Sequence, residues 1–240
     1  MTLTIGIDDA GRGPIIGPMI LSGVLVDENS IKALENKGIK DSKQLIHSTR
    51  IQLAELIKSS VLNYKTLITT PKEIDSALRS DKLNLNTLEA MKMAQIINEL
   101  NTEKEKITVI IDCPSINTVK FKQTLLEYVE HPENLDIKCE HKADVNHIEV
   151  SAASILAKVQ REESVSQIKE KYPDIGSGYP SDPTTKSFLK SHGSKHRDSG
   201  IFRKTWKTWT NLFPEDKTDT KAIRKLYKET DKKQKSLTDF

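Results

Sequence analysis

Apolar residues alternate or cluster in five short runs and recur at helical spacing in three longer ones, a pattern that by itself lays out a mixed α/β chain. Residues 2–8 and 15–26 are rich in Ile, Val and Leu and flank a Gly/Pro-rich turn, which predicts a β-hairpin opening a sheet. Residues 61–68 predict a third strand. Before it, Ile51, Leu53, Ala54 and Ile57 in the stretch 48–58 follow a helical order. The stretch 85–100 places Ala90, Met93, Ala94, Ile97 and Leu100 on one helical face, with Asn84 or Asn86 available as N-cap. Residues 107–111 are a short apolar run that stops at Asp112-Cys113-Pro114, as a buried central strand would, presenting a carboxylate at the sheet edge. A fifth strand is predicted over 135–140. A long helix is predicted over 150–172, with Ala152, Ile155, Leu156 and Val159 on its apolar face and Ser151, Ser154, Lys158 and Arg161 on the other side.

After Gly176 the chain turns Pro/Ser/Gly-rich, basic and helical. The expected organisation is a core over 1–175, a basic helical subdomain over 176–215 and a charged helix or tail over 216–240, without internal repeats. No stretch approaches the ~18–20 consecutive apolar residues of a membrane span. The start of the chain has no basic region followed by a small-residue cleavage site, so a cytoplasmic location is expected. Cys113 and Cys139 lack CxxC or Cys/His spacing and read as buried free thiols rather than zinc ligands or a disulfide framework. The net charge of +3 is uninformative until its distribution is considered. Lys186, Lys190, Lys195, Arg197, Arg203, Lys204 and Lys207 stand against Asp198 alone, with Trp206 and Trp209 close by. Such a patch suits phosphate contacts, and equally a solvated face whose tryptophans pack inward.

Four acids fall where chemistry is a natural reading: Asp8 and Asp9 at the end of the first strand, Asp112 at the tip of a central one, and Asp144 just before the long helix. Clustered carboxylates repel one another unless hard, oxygen-seeking cations such as Mg²⁺ or Mn²⁺ neutralise them. Two such ions, roughly 3.5–4 Å apart, suit phosphodiester hydrolysis. From spacing alone each aspartate also fits turn formation or helix capping. Likewise Gly11 and Gly13 fit a simple turn, and Tyr179 fits packing.

The words around these acids carry more. Asp8-Asp9-Ala10-Gly11-Arg12-Gly13-Pro14, Asp41-Ser42-Lys43, Asp112, His141-Lys142-Ala143-Asp144, Ser151-Ala152-Ala153-Ser154-Ile155-Leu156-Ala157-Lys158 and Gly176-Ser177-Gly178-Tyr179-Pro180, in this order, closely resemble ribonuclease HII of the archaeal type, from about Gly6 to Trp209. The resemblance implies an RNase H-like mixed sheet flanked by helices, with a C-terminal helical subdomain. It implies metal ligation and catalysis by Asp8, Asp9, Asp112 and Asp144, with two Mg²⁺ or Mn²⁺ ions during the reaction. It further implies that the Gly11-Arg12-Gly13 turn reads a ribose 2′-hydroxyl largely through backbone groups, that Tyr179 stacks on the sugar of the following deoxynucleotide, and that Lys43 contacts a phosphate near the scissile bond. The implied substrates are RNA/DNA hybrids and duplex DNA with embedded ribonucleotides, and nothing asks for more than a monomer. One departure stands at the centre: the family's usual Asp-Glu pair is Asp8-Asp9 here, one methylene shorter. The alternative is therefore a non-catalytic nucleic-acid-binding or clamp-associated protein whose carboxylate site has decayed. At the end of the chain Gln234, Leu237 and Phe240 follow the Q-x-x-L-x-x-F spacing of sliding-clamp-binding peptides.

Overall fold

A computed structural model describes residues 2–36, 39, 47–80 and 82–217. Lys43 with its Asp-Ser-Lys word, the predicted helix or tail after residue 217, and Gln234, Leu237 and Phe240 lie outside the described residues.

Five strands form one sheet in the order β3-β2-β1-β4-β5. β1 (Leu3–Ala10) pairs antiparallel with β2 (Met19–Val26), which pairs antiparallel with β3 (Asn63–Thr69). On its other side β1 runs parallel to β4 (Ile107–Asp112), and β4 parallel to β5 (Leu135–Glu140). The mixed sheet is covered on both faces, which is why β2 reads as a nearly unbroken apolar run.

The strands' period of two sorts side chains between the faces. Leu3, Ile5 and Ile7 of β1, Met19, Leu21 and Leu25 of β2, and Val109 and Ile111 of β4 pack with α4 (Leu85–Leu100), α3 (Pro71–Arg79) and α5 (Thr118–Leu126). Val24 and Val26 face α1 (Glu28–Glu35), α2 (His47–Ser60) and the 24-residue α7 (Ile148–Lys171). α7 crosses β1 so closely that a side chain at Gly6 would lie 2.4 Å from the backbone of Glu149. Glycine is required there for the helix to approach, and that approach sets what faces the end of β1. Among the described residues no helix is long and apolar enough to cross a membrane.

One expectation needs correction. The second strand begins at Met19 rather than at residue 15. Ile15 and Ile16 instead donate their N–H groups to Gly178 O, Gly17 donates to Ile201 O, and Ile16 bridges to Phe202. Both isoleucines join a separate apolar cluster with Ile175, Phe188, Leu189, Phe202 and Trp209. This cluster gathers α8 (Pro183–His192) and α9 (Lys207–Leu212) onto the loop after β1. On the polar side of the long helix Ser151, Ser154 and Arg161 are all buried, because that helix has neighbours around much of its girth.

Candidate active site

Parallel pairing of β1 with β4 sets Ile7 opposite Ile111, so Asp8 and Asp112 follow as neighbours at the carboxyl ends of adjacent central strands. Such ends are where open α/β sheets place ligands. Asp8 is buried toward α7, and the Asp9 N–H donates to its Oδ1 at 2.7 Å. Burial pushes the Asp8 carboxyl up to about 8; the charges of Asp9 and Asp112 add to that, while Ser154 opposes it. The Ser154 hydroxyl favours the Asp8 anion by proximity but lacks a partner at full hydrogen-bond geometry.

Asp9, one residue on, turns toward α4. Burial pushes it up to about 7, with Glu89 and Asp112 raising it and Arg12 opposing. Glu89 is itself wholly buried and pushed up to about 7 by that burial, against the pull of Arg12. Asp112 Oδ1 accepts the Ala143 N–H at 3.0 Å, which ties the strand tip to α6 (Ala143–Asn146). Asp144 follows in the first turn of α6 and is half-buried. Asp8, Asp9 and Asp112 thus sense one another's charge, and Asp144 stands one residue beyond the Asp112 contact. Among the described residues no three His, Cys, Asp or Glu side chains close into a metal-holding cluster, so the acids share a corner without converging on one point.

The turn that follows is held from behind by the far end of the chain. Arg203 is fully buried and donates from Nε to Gly17 O (3.0 Å), from Nη1 to Arg12 O (2.8 Å) and from Nη2 to Gly11 O (2.6 Å). Trp206 Nε1 donates to Gly13 O at 3.1 Å, and the Arg203 guanidinium lies 4.9 Å from the Trp206 ring centroid. The segment carrying both residues is anchored in turn by buried Asp75, which accepts the N–H groups of Lys204 and Thr205 and the Thr205 hydroxyl. The Arg12 side chain points the other way, to Glu89 Oε1 and Asn86 Oδ1, each at 2.8 Å. Gly11 has φ +83° with Arg161 packed where a side chain would stand, so glycine is required on both counts. A side chain at Gly13 would reach the Tyr179 ring at 3.8 Å; its absence leaves that space open beside a tyrosine that is 41% exposed.

Residues 5–209 match the family model of ribonuclease HII. The chain belongs to that family. The ribonuclease HII of Pyrococcus furiosus is 43% identical over 204 residues, covering 85% of this chain and 88% of that one. The crystal structure of ribonuclease H2 from Pyrococcus horikoshii OT3 has a TM-score of 0.79 at 36% identity, covering 90% of this chain and 99% of that one. The structure of the PCNA:RNase HII complex from Archaeoglobus fulgidus gives 0.76 at 35% identity, with 87% and 96% covered. The family, the mixed sheet with its flanking helices and the ribonuclease H type of enzyme expected from the motifs are borne out, and the chain is an endonuclease of that type.

Within this ribonuclease HII fold the basic patch splits. Arg203 is internal, Arg197 is paired with Glu215 and Asp216, and Lys204 with Asp198. Glu89, Arg161 and Arg203 were not among the expected site residues. For Glu89 and Arg161 the only signal in the sequence was an ionisable residue at a helical position that packing buries, such as Glu89 four residues before Met93; Arg203 lies outside the helices, within the basic stretch.

Proposed function

We propose that this ribonuclease HII cuts the RNA strand of RNA/DNA hybrids and incises duplex DNA 5′ to embedded ribonucleotides, leaving 5′-phosphate and 3′-hydroxyl ends. The observation that carries this reading is the placement, within six residues, of the Asp8 carboxylate beside Asp112 and of the Gly11-Arg12-Gly13 turn beside Tyr179. Reacting group and sugar are thereby fixed by one short piece of backbone.

The donor set fits divalent metal. It is made of carboxylate oxygens, and the raised affinities of Asp8 and Asp9 for protons report buried, mutually repelling charge that a hard cation would neutralise. Asp8, Asp9, Asp112 and Asp144 would hold two Mg²⁺ or Mn²⁺ ions. The chemistry such ions supply, when bound, is polarisation of the phosphodiester and a more acidic water. The chain's own part is positioning. The Ala143 amide keeps one Asp112 oxygen aimed, and Ser154 faces Asp8. Arg203 and Trp206 engage the carbonyls of Gly11, Arg12 and Gly13, so the turn meets a ribose as a preset surface. Arg12, tied to Glu89 and Asn86, braces that surface from its side. Tyr179 offers an exposed ring to the next sugar, and Lys43 supplies a phosphate contact. The shorter Asp9 keeps a place in the acid corner through its coupling to Asp112.

The test uses duplex DNA carrying a single ribonucleotide, incubated with Mg²⁺, Mn²⁺ or EDTA. Metal-dependent cleavage 5′ to the ribonucleotide that disappears in Asp112→Asn supports the reading. Binding without cleavage under every metal condition would replace it with the non-catalytic alternative.

Clamp association is the second part of the proposal. Its support is the Gln234, Leu237 and Phe240 spacing together with the Archaeoglobus fulgidus relative having been solved in a complex with PCNA. Phe240→Ala then weakens binding to a sliding clamp without changing cleavage, and unchanged clamp affinity would refute it.

A further inference from the structure

Arg161 stands on α7 with 8% of its surface exposed, and its Nε and Nη2 have no hydrogen-bond partner among the described residues. A buried guanidinium without a carboxylate is costly, because desolvation is not returned by pairing. Its neighbour Glu162, which also lines the cleft beside Tyr179 and lends Arg161 favourable charge, is engaged by Arg50. The Arg161 guanidinium instead lies over the Tyr179 ring, 5.3 Å from its centroid, and its Nε and Cδ fill the place of a Gly11 side chain. Arg203 stands against the carbonyl of the same glycine. Two positive charges therefore flank the recognition turn, a few residues from the acid corner. Arg161 and Tyr179 also open on a cleft of about 380 Å³ whose wall includes Ser166, Ser177 and Lys169, an exposed residue two turns along α7.

We propose that this cleft is a phosphodiester subsite. Arg161 supplies a fixed charge, Lys169 a mobile one, and the Ser166 and Ser177 hydroxyls supply donors for one backbone phosphate of the strand that rests on Tyr179. A nucleic-acid backbone meets the requirement well: it brings a permanent anion next to a sugar, and Tyr179 and the open side of Gly13 are the sugar-sized surfaces beside the charge. The subsite rests on the nuclease reading above and adds how the strand is gripped beside the reacting corner.

The experiment measures binding by fluorescence anisotropy in an Asp112→Asn background, so that no strand is cut. Duplexes carry one ribonucleotide and a single neutral methylphosphonate moved step by step along the same strand. Arg161→Gln and Lys169→Gln are compared with the parent. At one position the methylphosphonate weakens the parent roughly tenfold and each variant several-fold less, and the two substitutions combined flatten the salt dependence of log K by about 0.9, the slope of one lost phosphate contact. Additive losses at every position overturn the subsite. Lys169→Gln changes an exposed side chain and keeps the test decisive if Arg161→Gln fails to fold. A parent protein that binds all-DNA duplex as tightly as ribonucleotide-containing duplex overturns the nuclease reading beneath, an outcome distinct from additivity.

Discussion

Asp8 and Asp9 end a strand covered on both faces, whereas Gly11, Arg12 and Gly13, only two residues further, form a turn gripped by side chains from the other end of the chain. The acid corner is positioned by sheet register and helix contacts, and its charges oppose one another as well as their burial. The turn is the reverse. Its carbonyls are matched by donors 191 to 193 residues away, including a guanidinium with no competing role at the surface. On the proposed reading, chemistry is placed at a site of unfavourable electrostatics, and recognition at a site of satisfied hydrogen bonds. Perturbing the first should remove turnover, and perturbing the second should change shape and selectivity.

The largest expected effect is on turnover. Asp112→Asn lowers the single-turnover rate by at least ~10²–10³-fold, the scale of losing one electrostatic group in a water-excluded site, while affinity for ribonucleotide-containing duplex holds. Equal losses of affinity and rate would erase the proposed division of labour. Next in size, Arg203→Gln leaves three buried carbonyls without their cationic donor and destabilises the fold by about 3–5 kcal/mol in denaturant unfolding. In the folded fraction it reduces the preference for a ribonucleotide over a deoxynucleotide more than it reduces cleavage of long hybrids. A variant that slowed both substrates alike would assign Arg203 to the acid corner instead.

A third prediction concerns pH. The Asp8 carboxyl is raised from the usual 3.8 to about 8 in the folded protein. Between about pH 4 and 8 the folded state therefore holds a proton that the unfolded chain has released, and stability falls as pH rises across that window. In EDTA, Asp8→Asn raises Tm at pH 8 by several degrees, ~1 kcal/mol being worth roughly 2–4 °C at this size, and changes Tm little at pH 4. A lower Tm at pH 8 would show that Asp8 is stabilising rather than strained. The smallest effect belongs to Trp206→Phe, which removes one hydrogen bond to Gly13 O and costs about 0.5–1.5 kcal/mol, with a ribonucleotide preference reduced less than in Arg203→Gln.

How far the chain could be read in advance differs between these same two regions. The strands over 107–111 and 135–140 and the helix over 85–100 match β4, β5 and α4 closely, because their periodicity is that of elements packed on a core. α3 went unread although Thr70-Pro71 and Glu73 form a capping box with proline at its start; too few apolar residues follow for periodicity to register. Ile15 and Ile16 read as strand because local pattern cannot tell an apolar residue paired in a sheet from one packed under a distant helix. Glu89, Arg161 and Arg203 looked like ordinary helical or surface charges, since their burial depends on what crosses them.

The sequence by itself determined the order of the strands and principal helices along the chain, the family, and the position of Asp8, Asp112 and the glycine turn at strand ends, because these follow from local periodicity and from short contiguous motifs. Only the tertiary structure decided that Asp8 lies beside Asp112, that Arg203 and Trp206 bind the carbonyls of the turn, and that Arg161 is buried beside Tyr179 with its Nε and Nη2 lacking a hydrogen-bond partner among the described residues. Those facts depend on register between strands and on contacts across some 190 residues, where desolvation and hydrogen-bond matching act on groups that no local pattern brings together.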